Sequence, residues 1–131
     1  TESPSNEVTC LNRSAEFLRD LMTDLLGSPP RVLPSDKGPH VHWSGGGTPK
    51  VLIVGHHDTV FPLGTVADRP FTIDGDNARG PGVFDMKGGI IQAIYALSVL
   101  EWEGRESVRS SSTSRVVPLT LVSSRRRASM H

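Results

Sequence analysis

Apolar residues are spread unevenly along the chain, concentrating between positions 51 and 102 and thinning out on both sides. In residues 14–26, Phe17, Leu18, Leu21, Met22 and Leu25 recur at three- and four-residue intervals, which predicts one face of an amphipathic helix. Ser14 offers an N-cap oxygen, and Gly27 followed by Pro29 and Pro30 stops the helix. After a Pro- and Gly-rich loop, Val41 and Trp43 alternate with His40 and His42, the period of a half-exposed strand. Gly45, Gly46 and Gly47 with Thr48-Pro49 make a turn. Val51, Leu52, Ile53 and Val54 then form an unbroken apolar run, which predicts a strand buried on both faces, as in a mostly parallel sheet. Residues 61–81 are rich in Gly, Pro and Asp and read as a long connection with short strands near 71–73 and 78–79. Residues 88–102 carry apolar side chains almost all round, among them Ile90, Ile94, Tyr95, Leu97 and Val99, and predict a largely buried helix. Residues 119–122 are compatible with one more strand, and the polar residues 1–10 are predicted to fray. Strand, helix and strand in this order predict an α/β sandwich.

Composition narrows the classes. Hydrophobic residues make up 36% of the 131, somewhat low for a compact domain, so part of the chain is expected outside the core. That part is assigned to residues 105–131, a tail rich in serine and arginine, with 1–104 forming the first unit. A formal net charge of +0 argues against a general polyanion binder. A nucleic-acid reading based on Arg105, Arg109, Arg115 and Arg125, Arg126 and Arg127 is poor, because no aromatics interleave with them. No apolar run is read as long enough to span a bilayer, and no membrane partner is expected. The single cysteine, Cys10, rules out an internal disulfide and suits a reducing cytoplasm.

Two segments carry candidate chemistry. Gly55-His56-His57-Asp58 follows the apolar run, at the carboxyl end of a strand, where open α/β sheets bind ligands. If the strand geometry persists, His56 and Asp58 share a side. The carboxylate can then hold one imidazole nitrogen and leave the other to donate its lone pair to a metal. His57 points the other way and reads as structural. The second segment, Gly80-Pro81-Gly82-Val83-Phe84-Asp85-Met86-Lys87-Gly88-Gly89, sets Asp85 just before the apolar helix. An acid there also suits a helix N-terminus, but the flanking glycines permit close backbone approach. The spacing does not match a phosphate-binding P-loop. A strand-end histidine with two such aspartates is a credible site for zinc or a hard metal, although two ligands leave a zinc site incomplete.

These runs resemble the metal motifs of the zinc metallopeptidase family that includes glutamate carboxypeptidase, aminoacylase, acetylornithine deacetylase and succinyl-diaminopimelate desuccinylase. Residues 51–62 resemble the first motif and residues 79–89 the second. The connector, with Arg69-Pro70-Phe71 and Asp74-Gly75-Asp76, is similar to the glutamate carboxypeptidase branch. The resemblance covers roughly residues 31–102. It implies a three-layer α/β sandwich with a mostly parallel central sheet, present here as an incomplete catalytic domain. His56 would bind one zinc, Asp58 would orient His56, and Asp85 would bridge two zincs, with the Asp85-Met86 peptide often cis. The implied reaction is hydrolysis of an amide beside a carboxylate in a small peptide or N-acyl amino acid, by zinc-activated water.

The departures matter equally. The family carries a Glu-Glu pair after its next core strand, whereas Ser123-Ser124-Arg125-Arg126-Arg127 follows residues 119–122 here. The later ligands and the dimerisation domain of the often homodimeric family are not found. Arginine codons of the CGA and AGA type contain GA, the start of Asp and Glu codons, one base out of step, so a reading-frame slip would produce such a run. A natural basic tail on a truncated paralogue is the alternative. Two functional readings stay open: an amino-terminal piece of a zinc hydrolase with little activity of its own, or a non-catalytic remnant with at most weak metal binding.

Overall fold

The computed structural model describes residues 1–46, 51–107 (the backbone alone over 101–107) and 119–123. In chain order the elements are α1 (Val8–Leu26), β1 (Arg31–Leu33), β2 (His40–Trp43), β3 (Ile53–His56), α2 (Thr65–Asp68), β4 (Thr72–Asp74), β5 (Asn77–Arg79), α3 (Gly88–Ser107) and β6 (Leu119–Val122), with a π-type turn at Val83–Lys87 leading into α3.

The buried residues of α1 (Cys10, Leu11, Ser14, Ala15, Leu18, Met22 and Leu26) trace a single stripe. Cys10 and Leu11 extend that stripe backwards, so the helix begins at Val8 and Ser14 lies inside it as a buried polar residue, not at its cap. The other end is as expected. Gly27 adopts φ 72° and donates its N–H to the Thr23 carbonyl at 3.0 Å.

The main sheet has the order β1-β2-β6-β3. β1, which the apolar pattern did not show, pairs antiparallel with β2, because the short link between them permits no crossover. β2 pairs antiparallel with β6, and β6 pairs parallel with β3. The connection from β3 to β6 passes through the long helix α3, the kind of crossover that parallel pairing needs. The sheet is therefore mixed, which corrects the mostly parallel sheet expected from residues 51–54. β6 sits inside the sheet, and α3 runs to Ser107. The rest of the expected tail, 108–118 and 124–131, lies outside the described residues.

One apolar cluster joins the two long helices to the sheet: Ala15, Leu18, Met22 and Leu26 from α1, Val41 and Trp43 from β2, Ile90, Ile94 and Leu97 from α3, and Leu119 and Leu121 from β6. Strand alternation sends His42, Thr120 and Val54 to the opposite face. There His42 Nδ1 and the Thr120 hydroxyl lie 2.9 Å apart across the strands. No described helix covers that face, so the described residues form two layers of the expected three. Among the described residues β3 lies at an edge of the sheet, and Val51, Leu52 and Val54 are 55%, 60% and 56% exposed, not buried on both faces. Among the described side chains of α3, Ile90, Ile94 and Leu97 form the buried stripe, and Ile91, Tyr95, Val99 and Leu100 are exposed.

By length and composition alone Val83–Leu100 could cross a membrane, which corrects the reading that no apolar run is long enough to span one. Asp85 (φ −122°, ψ 94°) and Met86 (φ −137°, ψ 31°) interrupt it with non-helical torsions, and its buried stripe is used in the core described above.

Residues 1–6, expected to fray, are instead tied down by backbone bonds. Thr59 N–H donates to the Ser3 carbonyl at 2.8 Å and Ser5 N–H to the Thr59 carbonyl at 3.0 Å, a parallel bridge centred on Pro4 and Thr59. No apolar pattern announces such a strap, because its hydrogen bonds come from the main chain. β4 and β5 form an exposed hairpin closed by Gly75 (φ 56°) and Asp76, in the connector where short strands were expected.

Candidate metal half-site

The turn that carries Asp85 is shaped by Gly82. Its φ is 73°, and a Cβ there would lie 2.5 Å from Thr59 Cγ2, so only glycine lets the turn approach the end of β3 this closely. From Gly82 the backbone closes a π-type turn, with Lys87 N–H donating to the Gly82 carbonyl at 2.9 Å. The Asp85-Met86 peptide is cis, as the resemblance implies. Met86 packs against the core, and its Sδ lies 3.4 Å from the His56 backbone N–H. The turn is thereby docked to the last residue of β3.

This docking brings His56, Asp58 and Asp85 together. His56 Nε2 lies 3.0 Å from Asp85 Oδ1. On the other side of the ring, Nδ1 lies 3.1 Å from the Asp58 main-chain carbonyl and 3.5 Å from Asp58 Oδ1. The nearer partner of Nδ1 is thus the carbonyl, which sequence reasoning missed; the carboxylate stands just behind it. Asp58 is buried, whereas Asp85 is 78% exposed and free to adjust. Both ring nitrogens therefore face oxygen acceptors. A neutral imidazole has one N–H and satisfies one side only. With Nδ1–H donating to the Asp58 carbonyl, the Nε2 lone pair and Asp85 Oδ1 are two donor atoms that face each other.

His57 has the structural place expected of it. It is buried, with Nε2 donating to the Pro39 carbonyl at 3.0 Å and Nδ1 accepting from the Ser14 hydroxyl at 3.2 Å. The ring ties the end of β3 to α1 and to the residue before β2. Burial pushes its pKa below the usual value of 6.5, partly opposed by the bond to Pro39 and the nearby Asp58 charge.

Two neighbours were not singled out in the sequence. Lys87 turns away from Asp85 and donates from Nζ to the Thr1 carbonyl at 2.6 Å and to the Ser3 hydroxyl at 2.8 Å. Burial pushes its pKa down, with the charges of Glu2 and Asp58 opposing. Ser5 donates its hydroxyl to Asp58 Oδ2 at 2.6 Å. Both belong to contacts made by residues 1–6, for which the sequence offers no periodic signal. An open cleft of about 670 Å³ runs past Ser5, His56, Asp58 and Asp85. Arg69 lies on its wall, its guanidinium 5.5 Å from the centre of the Phe61 ring.

A strand-end histidine and an aspartate on a docked turn thus converge in a cleft on an α/β frame. Residues 52–112 match the peptidase family M20/M25/M40. Over 60 residues, 46% of this chain, the sequence is 40% identical to carboxypeptidase G2 of Pseudomonas sp. (strain RS-16), and the match spans 14% of that protein. The fold is similar to an M20 family metallo-carboxypeptidase, Sso-CP2 from Sulfolobus solfataricus, with a TM-score of 0.67 at 20% identity, covering 92% of this chain and 28% of that one. Human carnosine dipeptidase 1 gives a TM-score of 0.65 at 19% identity, with 93% and 29% covered. Residues 52–112 therefore match part of the peptidase M20 family, and the chain is a homologue of carboxypeptidase G2 over a stretch that spans 14% of that protein.

Proposed function

We propose that the chain supplies the first half of a two-zinc site for hydrolysis of an amide beside a carboxylate, in a small peptide or N-acyl amino acid. The observation that carries this reading is the 3.0 Å approach of His56 Nε2 to Asp85 Oδ1. Zinc bonds of about 2.0–2.2 Å to nitrogen and oxygen at a tetrahedral angle set two ligand atoms roughly 3.4 Å apart. The exposed Asp85 reaches that spacing by a displacement of roughly 0.4 Å, well within a side-chain adjustment, so the donor pair fits the metal. His56 and Asp85 would hold zinc, and Asp58 would orient His56 through its carbonyl and carboxylate. When bound, zinc supplies carbonyl polarisation and an activated water. Arg69, the cation on the cleft wall, is placed to attract a substrate carboxylate.

The same reading makes this chain a poor catalyst. No cluster of three or more potential metal-ligating His, Cys, Asp or Glu side chains occurs among the described residues. After β6 the residues are Ser123-Ser124-Arg125, where the resemblance implies an acidic pair acting as base and ligand. Removing a general base typically lowers rates by ~10²–10⁴-fold. The purified chain with added zinc is expected to bind the ion weakly, to lose that binding in Asp85→Ala, and to show little or no turnover of acyl-glutamate or dipeptide substrates. Robust turnover would defeat the incomplete-site reading, and zinc binding unaltered by Asp85→Ala would defeat the assignment of ligands.

A further inference from the structure

We propose that Ser5, on the amino-terminal strap, is a positioning residue of the metal half-site. It rests on the reading of His56 and Asp85 as ligands and adds a contact from the amino-terminal strap. The Asp58 carboxylate has two oxygens with different tasks. Oδ1 faces His56 Nδ1 at 3.5 Å, and Oδ2 accepts the Ser5 hydroxyl at 2.6 Å. Rotation of a carboxylate about its last torsion is soft, with broad minima. A short hydrogen bond to a charged oxygen is among the stronger local restraints available to it. With Oδ2 held by Ser5, the plane of the group is set and Oδ1 stays turned toward the imidazole.

Ser5 is itself firmly placed. Its N–H donates to the Thr59 carbonyl at 3.0 Å, and two residues earlier the Ser3 carbonyl accepts from Thr59 N–H at 2.8 Å. The Ser3 hydroxyl donates to the His57 carbonyl at 2.7 Å. The strap thus runs beside residues 57–59, just beyond β3, fastened on both sides of Pro4. The Ser5 hydroxyl also lies 3.0 Å from the Thr59 carbonyl, but that oxygen already accepts from Ser5 N–H. One hydroxyl proton goes to the shorter, charged acceptor, Asp58 Oδ2. A relay results: the strap fixes Ser5, Ser5 fixes the Asp58 carboxylate, and its Oδ1 charge, 3.5 Å from His56 Nδ1, acts on the ring beside the 3.1 Å bond to the Asp58 carbonyl.

The test uses the full chain with Ser5→Ala and with Ser5→Thr, which retains the hydroxyl. Cobalt(II) alone is the metal probe, followed by its visible absorption. The His56 ring nitrogens are followed by two-bond ¹H–¹⁵N NMR in the metal-free protein. Replacing the direct partner of a metal-binding histidine typically lowers affinity 10–100-fold. One step further out, Ser5→Ala is expected to weaken cobalt binding by roughly three- to tenfold, to shift the His56 Nδ1 resonance, and to be restored by Ser5→Thr. Equal affinity and an unchanged ring signal in Ser5→Ala overturn the proposal. Equal weakening in both variants also overturns it, because the hydroxyl is then not the active group. If the parent chain fails to bind cobalt, the ligand assignment fails. The metal-free ring signal still decides the link from Ser5 to His56: a shift in the alanine variant alone supports it, and no shift overturns it.

Discussion

Protonation of His57 is expected to loosen the whole fold below neutral pH. The ring is buried, one nitrogen donates to Pro39 and the other accepts from Ser14, so the folded chain holds it neutral. Its folded pKa lies below 6.5 while the unfolded value stays near 6.5. The unfolded chain therefore binds the proton first as pH falls. Stability from this group is complete above about pH 6.5 and declines below it, until the folded pKa is reached. For a single group the limiting slope is about 1.4 kcal/mol per pH unit. Moving from pH 7.5 to 5.5 then removes up to about 1.4 kcal/mol if the fold keeps the ring neutral throughout, a sizeable part of a typical ~5–15 kcal/mol. Urea unfolding followed by tryptophan fluorescence reads this directly, since Trp43 is buried and its indole N–H bonds to Ser28 at 3.0 Å. His57→Gln keeps a donor and an acceptor but cannot titrate. It is expected to be less stable at pH 7.5 by about 1–3 kcal/mol, for imperfect buried hydrogen bonds. It is also expected to lose less than the parent between pH 7.5 and 5.5. Parallel losses in the two proteins would remove His57 as the cause.

Three further outcomes are expected. Gly82→Ala introduces a side chain at φ 73° and a Cβ 2.5 Å from Thr59, so it should destabilise by about 1–3 kcal/mol and reduce cobalt binding together; wild-type values for both would contradict the tight approach of the Asp85 turn. Val54→Lys puts a charge on the uncovered face of the edge strand β3, and should lower self-association in sedimentation experiments while changing stability by less than about 0.5 kcal/mol; a large stability loss would show that Val54 is covered. Sequencing the DNA across the codons for residues 123–127 should reveal an acidic pair in an adjacent frame; its absence would favour a natural basic tail.

The parts of the fold visible in the sequence are those written in side-chain period. The α1 stripe, the alternation in β2, the stop at Gly27 and the strand 119–122 all follow from local patterns, and the structure has them. What escaped has no such period. β1 is three residues long with mainly exposed side chains, and its place comes from the hairpin with β2. The strap at 1–6 is held by main-chain bonds to Thr59, which any polar sequence can make. The start of α1 was misplaced because Ser14 is a good cap residue, yet its hydroxyl is used in the interior by His57. In that case a tertiary contact overrode local propensity.

The candidate site was legible for a different reason. Its three residues sit where backbone geometry changes abruptly: a strand ends at His56, and Gly82 permits the turn that carries Asp85. Spacing could not say that His56 leans first on the Asp58 carbonyl, nor that Ser5 reaches Asp58 from more than fifty residues away. The over-reading of residues 51–54 and 88–102 as fully buried has the same physical root. An apolar run records the burial a segment is suited to, and the described residues cover one face of β3 and one stripe of α3. The geometry around His56 and Asp85, by contrast, is set by the strap, the β3 end and the Gly82 turn.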